Sequence, residues 1–134
     1  FNIKNIKELI YSCSNQLNNA ELNACDFEEF ISKVKKNDLV YLDPPYTITH
    51  NNNGFIKYNE KLFSFIDQVR LSSIISEIRD KNAYYILSNA YHPDVKKIYD
   101  KFGDKVIQLD RISLISAKTD SRENYKEYVF TNII

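Results

Sequence analysis

The chain has 134 residues, enough for one ordinary domain and too few for two. Its residues are 43% hydrophobic and 27% charged, the balance of a folded domain and not of a disordered or membrane-embedded chain. Eighteen lysines and arginines offset eighteen acids, so net charge announces no nucleic-acid partner and any basic surface must come from uneven distribution.

Apolar Ile3, Ile6, Leu9, Ile10, Cys13 and Leu17 recur at the helical period and predict a helix from Ile3 to about Leu17, ended by Asn18 and Asn19. Residues 21–25 read as a short strand. Asp26 is placed to cap a second helix over residues 27–35, with Phe27, Phe30, Ile31 and Val34 on one face. Leu39–Leu42 is a continuous apolar run halted by two prolines, the pattern of a strand buried on both faces of a parallel sheet. The polar stretch over residues 47–59 predicts a mobile loop above the end of that strand. A long amphipathic helix follows over residues 60–81, then a second buried strand over 83–87. Pro93 opens a further helix that Gly103 closes. Residues 106–109 and 128–133 predict two last strands, joined by a polar stretch over 118–124. The alternation predicts an α/β fold whose final hairpin makes one strand antiparallel.

The longest apolar runs fall far short of the roughly 20 residues that span a bilayer, and the start of the chain has no secretory pattern. Cys13 and Cys25 have no ligand or disulfide spacing, so they read as space-filling residues of a reducing cytoplasm. His50 and His92 stand apart from Cys, Asp or Glu, and no metal is predicted. The chain has no Met and two glycines, and lacks the glycine-rich first turn that lets backbone approach a nucleotide-like cofactor. It reads as a piece of a longer protein.

Chemistry concentrates in Asp43, Pro44, Pro45 and Tyr46. Ligands of open α/β sheets bind outside the carboxyl ends of the strands, and this tetrapeptide begins at such an end. The prolines have no amide hydrogen and a fixed φ, so the turn is stiff and offers carbonyl acceptors without competing donors. With the Asp43 carboxylate, two acceptors converge. An amino group on an aromatic ring has two N–H donors and a delocalised lone pair; accepting both hydrogens favours a pyramidal nitrogen able to attack a methyl donor. Tyr46 would stack on the base, a contact of roughly 1–3 kcal/mol, once the base has left its duplex. The bland alternative is a capped turn, with Tyr46 packed as ordinary core.

These four residues resemble the catalytic DPPY motif of the Dam-like (D12 class) DNA adenine N6-methyltransferase family. Asp26 and Phe27 resemble its cofactor-adenine position, Gly54, Phe55 and Tyr58 its aromatic pattern after DPPY, and Leu87, Ser88 and Asn89 its next strand end. Arg111, Ile112 and Ser113, then Arg122, Glu127 and Tyr128, resemble its carboxyl-terminal hairpin. The resemblance implies a partial Rossmann-like S-adenosylmethionine-dependent methyltransferase fold. Residues 1–134 would then be the carboxyl-terminal part of the catalytic domain, with the cofactor loop and target-recognition region lying before Phe1. It implies double-stranded DNA with a flipped adenine as substrate and S-adenosylmethionine as cofactor, in a cytoplasmic enzyme of restriction–modification type. Asp43, Pro44, Pro45 and Tyr46 would be catalytic, and Asp26, Phe27 and Asp43 would hold cofactor. Tyr46, Phe55, Tyr58, Asn89, Arg111 and Arg122 would contact substrate, and Lys118 and Lys126 are further candidates for phosphate. Two rivals stay open: a module that binds DNA or a partner without activity, and an amino-methyltransferase acting on cytosine N4 or on adenine in RNA.

Overall fold

A computed structural model describes residues 3–45, 63–112 and 124–133. Helix α1 spans Ile3–Leu17, as its periodicity predicts, and its apolar residues Leu9, Ile10 and Tyr11 are exposed. Asp26 caps α2, Phe27–Phe30, by accepting the Glu28 amide hydrogen at 2.9 Å. The helix then tightens into a single 3-10 turn, Ile31–Lys33, and stops short of the expected residue 35. Asn37 takes a left-handed backbone at φ 69°, and the Asp38 carboxylate accepts the Lys35 amide, so the chain reverses there into β1, Leu39–Leu42.

The strand expected over residues 21–25 does not form. A strand needs a neighbour for its backbone, and none of the described strands lies there. Side chains hold the segment instead: Lys33 pairs with Glu21 and donates to the Asn23 carbonyl at 3.2 Å.

Helix α3, Phe65–Asp80, starts at a capping box, in which Ser64 accepts the Asp67 amide while Asp67 accepts the Ser64 amide. That reciprocal pair fixes the start five residues later than the apolar spacing suggests; residues 60–62 lie outside the described residues. Asn82, at φ 55°, turns the chain into β2, Tyr84–Ala90. Helix α4, Pro93–Tyr99, has Pro93 in its first turn and ends before Gly103, whose φ of 68° belongs to the turn beyond. Strands β3, Lys105–Ile112, and β4, Asn124–Thr131, complete the sheet.

The strand order is β1-β2-β4-β3, with β1 parallel to β2 and β4 antiparallel to both neighbours. The hairpin therefore inserts its second strand next to β2. Pairing of Ser88 with Val129, Asn89 with Tyr128 and Ala90 with Glu127 carries β2 three residues past its predicted end. At the other end Asn132 imitates a strand: its carbonyl accepts the Tyr85 amide at 2.9 Å and its NH₂ donates to the Ala83 carbonyl at 2.9 Å.

One sheet face carries the core. Tyr85 and Leu87 of β2 and Phe130 of β4 pack with Leu71, Ile74, Ile75 and Ile78 of α3 and Val95, Ile98 and Tyr99 of α4. On the other face Leu39 and Tyr41 of β1 and Tyr84 of β2 are exposed, which corrects the expectation that β1 is buried on both sides. The apolar run covers one face with α3, while none of the described elements covers the other. Cys13 and Cys25 are likewise exposed and unpaired, not space-filling. No helix among the described residues is long and apolar enough to cross a membrane.

Ile78 is wholly inaccessible and seals α3 to the sheet. Ile78→Ala is expected to lower unfolding free energy by about 2–5 kcal/mol, read as a reduced denaturation midpoint with unchanged slope.

Candidate active site

Parallel pairing sets Leu39 against Tyr84 and Leu42 against Leu87, so β1 and β2 present their carboxyl ends at the same rim of the sheet. Asp43 is the first residue past β1 and is exposed; Pro44 is buried and Pro45 exposed. A buried ring behind a free carboxylate anchors the turn by packing, and neither proline brings an N–H to compete for an acceptor. No described residue pairs with Asp43. Tyr46, Phe55, Tyr58, Lys118 and Arg122 lie outside the described residues, and so does the side chain of Arg111 on β3.

On β2 the Asn89 side chain is fully buried. Alternation puts it on the same face as Tyr85 and Leu87, toward α3. Its NH₂ donates to the Gln68 carbonyl at 3.0 Å, and its own carbonyl accepts the Ala90 amide at 2.8 Å. The Tyr99 hydroxyl donates to the Gln68 side chain and lies 3.1 Å from the Gln68 backbone carbonyl. Burial pushes the Tyr99 phenol well above its ordinary value, so it stays a neutral donor. Asn89 thus locks the end of β2 to the first turns of α3 and to α4. A contact between Asn89 and substrate would have to use its second N–H or the second lone pair of its carbonyl, on a side chain that is fully buried.

Beside β1 a cleft of about 430 Å³ runs between α2 and the strand, lined by Phe27, Phe30, Val34, Val40, Leu42 and Leu71. That volume suits a small organic ligand, and the lining is mainly apolar. Phe27 stands in its wall and Asp26 precedes it, while Leu42 links the cleft to Asp43. Asp26 and Phe27 do not stand alone. Arg70 of α3 sends Nη2 to Asp26 at 2.9 Å, Nε to Glu28 at 2.8 Å and Nη1 to Asp67 at 2.9 Å. Its guanidinium carbon lies 4.7 Å from the centre of the Phe27 ring, and Phe63 leans on that ring at 5.8 Å.

Hydrogen bonds from the Glu28 amide and then from Arg70 hold the Asp26 carboxyl below its ordinary value. The Ser64 amide and hydroxyl, and then Arg70, do the same for Asp67. Bonds to Glu28, Asp26 and Asp67 raise Arg70 further above its already high value.

A second cluster sits past the end of β2. Tyr91 and Tyr128 of β4 place their ring centres 4.5 Å apart, and the Lys126 ammonium lies 5.5 Å from the Tyr91 ring. Neither Arg70 nor Gln68 was visible as a site residue in the sequence, since Asn89, Glu28 and Asp26, which tie them to other elements, lie 21, 42 and 44 residues away. The Ser64-x-x-Asp67 spacing marks the start of α3 and was the one available local signal. Groups of three or more metal-ligating side chains are absent among the described residues.

Two outcomes follow from these bonds. Asn89→Ala takes the side-chain acceptor from the Ala90 amide and one of two donors from the Gln68 side-chain carbonyl, and is expected to cost about 1–3 kcal/mol in chemical denaturation. The folded-state values of Asp26 and Asp67 are depressed below the ordinary 3.8, so their stabilisation is complete above that value and is lost as pH falls beneath it. Acid unfolding followed by circular dichroism should steepen below pH 3.8, and less so in Asp67→Asn.

Residues 1–113 match the family described as D12 class N6 adenine-specific DNA methyltransferase. The chain is 34% identical over 128 residues to the type II methyltransferase M1.LlaDCHI of Lactococcus lactis subsp. cremoris, an alignment that covers 94% of this chain and 44% of that protein. It is 30% identical over 97 residues to the DNA N-6-adenine-methyltransferase of Escherichia phage P1, covering 72% of this chain and 13% of that protein. To the DNA adenine methylase of Haemophilus influenzae it is 26% identical over 106 residues, with 78% and 36% covered. The chain spans less than half the length of each of these relatives.

Proposed function

The chain belongs to the D12 class of N6 adenine-specific DNA methyltransferases, and from that membership we propose that it supplies the catalytic turn for methyl transfer to N6 of a flipped adenine in DNA. The observation that carries this reading is the exposed carboxylate of Asp43, without a partner among the described residues and set on a proline turn at the carboxyl end of a parallel strand. A carboxylate meant only to cap a turn would be spent on backbone amides, as Asp26 and Asp38 are.

In this reading the Asp43 carboxylate and the Pro44 carbonyl each accept one N–H of the adenine amine. They draw the nitrogen toward a pyramidal shape with its lone pair aimed at the methyl carbon. Tyr46 stacks on the purine, and Phe55 and Tyr58 support the substrate side. S-adenosylmethionine, the cofactor in general use in this family, supplies a methyl group made electrophilic by a positive sulfur. With that cofactor bound, the amine lone pair would take the methyl carbon, the methyl–sulfur electron pair would stay on the now neutral sulfur, and the surplus N–H proton would pass to solvent. Neither cysteine adjoins the turn in the chain, and direct attack by the amine needs no covalent enzyme intermediate.

The residues present fit the adenosine end of such a cofactor. The cleft between α2 and β1 is mainly apolar, of suitable size and walled by Phe27, and Asp26 directly precedes that ring in the chain. On the substrate side Arg111 and Arg122, with Lys126, supply cations for phosphate, positioning the duplex without reading its sequence.

Asp43→Ala is expected to keep the fold and to lower methyl transfer by about 10²- to 10³-fold, the scale for losing one preorganised polar contact. The assay is tritiated methyl incorporation into duplex DNA, followed by mass analysis of the nucleosides. N4-methylcytosine, or methylation of RNA alone, would replace the adenine reading. Activity at the parental level in Asp43→Ala would remove the assigned role of the acid. Absence of S-adenosylmethionine binding in calorimetry would favour a module that binds DNA or a partner without activity.

A further inference from the structure

We infer that Arg70 is a positioning residue for the cofactor, holding the Asp26 carboxylate and the Phe27 ring in the one arrangement that receives the adenine; this rests on the reading of Asp26 and Phe27 given above. The geometry of Asp26 is the main ground. The Glu28 amide and Arg70 Nη2 both bond the same oxygen, Oδ1, each at 2.9 Å. Oδ2 has no partner among the described residues and is left to accept a donor from a ligand, with the plane of the carboxylate fixed from behind.

Phe27 is held in the same way. The guanidinium lies 4.7 Å from its ring centre, and the ring lines the apolar cleft. One residue therefore orients both a polar and an apolar contact. Arg70 is itself over-determined, since each of its three nitrogens bonds a different carboxylate. Only a planar fork does this; an ammonium is a single point charge with no stacking plane. The third carboxylate, Asp67, belongs to the capping box of α3, so the helix that packs against the sheet sets the position of the fork.

The test uses the full-length protein and measures S-adenosylmethionine binding by calorimetry alongside separate KM values for cofactor and DNA. Arg70→Ala is expected to raise Kd and KM for S-adenosylmethionine about tenfold, the scale of one lost charge-assisted hydrogen bond. KM for DNA should stay unchanged, as should kcat at saturating cofactor. Arg70→Lys is expected to recover part of the loss, and it serves as the test variant if Arg70→Ala does not fold. Parental cofactor affinity in a folded Arg70 variant overturns the inference. An equal rise in both KM values does so too, because that marks a general loss of structure. Asp26→Asn separates this failure from failure of the underlying reading: if it also leaves cofactor affinity unchanged, the adenine contact itself is wrong. If it weakens binding while the Arg70 variants do not, only the role of Arg70 falls.

Discussion

The parallel pairing of β1 with β2 is the constraint on which the rest depends. Two parallel strands cannot be joined by a tight turn; the chain must cross over and return to the starting edge. Here the crossover runs from Asp43 to Ala83 and contains both the proline turn and α3. The turn bearing the exposed Asp43 carboxylate is thus the first thing the chain makes on leaving the sheet, and α3 is what brings it back. Because α3 packs on Tyr85 and Leu87, its first turns lie over the rim where Asp43 and Asn89 emerge. Gln68 and Arg70 then reach in two directions from one helix end. Gln68 ties β2 and α4, while Arg70 ties α2.

Those two ties differ in their energetics. The Gln68, Asn89 and Tyr99 network is buried, where an unmatched polar group costs about 1–3 kcal/mol, and the described bonds account for the amide groups that meet there. It fixes the rim by making every alternative arrangement expensive. The Arg70 cluster is exposed to water, where solvent screening leaves ion pairs little net effect on stability. Such a cluster is poor as a source of stability. Its effect is geometric: three carboxylates and a ring are held at defined distances by one rigid cation.

The sequence made the local features legible. Leu39–Leu42 has the bounds expected of it, because a left-handed turn at Asn37 precedes it and two prolines follow it. The antiparallel hairpin, the cap at Asp26 and the turn chemistry around Pro93 are local signals of the same kind. What could not be read is what depends on partners distant in the chain. The length of β2 is set by β4, forty residues later, and the polar segment at Glu21 is held by Lys33, not by a sheet edge. Asn89 is the instructive residue. Its position at a strand end suggested a substrate contact, yet only the fold shows that its amide is engaged by Gln68. Burial of β1 on one face only was equally illegible, since an apolar run does not say how many layers will cover it.

Charge is divided across the rim in a way the neutral total conceals. On the β1 side three carboxylates face one guanidinium at Arg70, leaving a net negative patch next to the apolar cleft. On the β4 side Lys126 lies over the paired tyrosines. Strands stand about 4.8 Å apart, so β1 and β4, separated by β2, are roughly 10 Å from each other, slightly more than the physiological screening length of about 8 Å. A polyanion approaching over β4 therefore stands about one screening length from β1, the strand on whose side the acids of α2 are found. Under the proposed reading that division separates the two substrates: the cofactor's adenosine toward the acidic flank, phosphates toward Lys126. Asp43 stands at the end of β1, where under the same reading methyl and amine would have to meet.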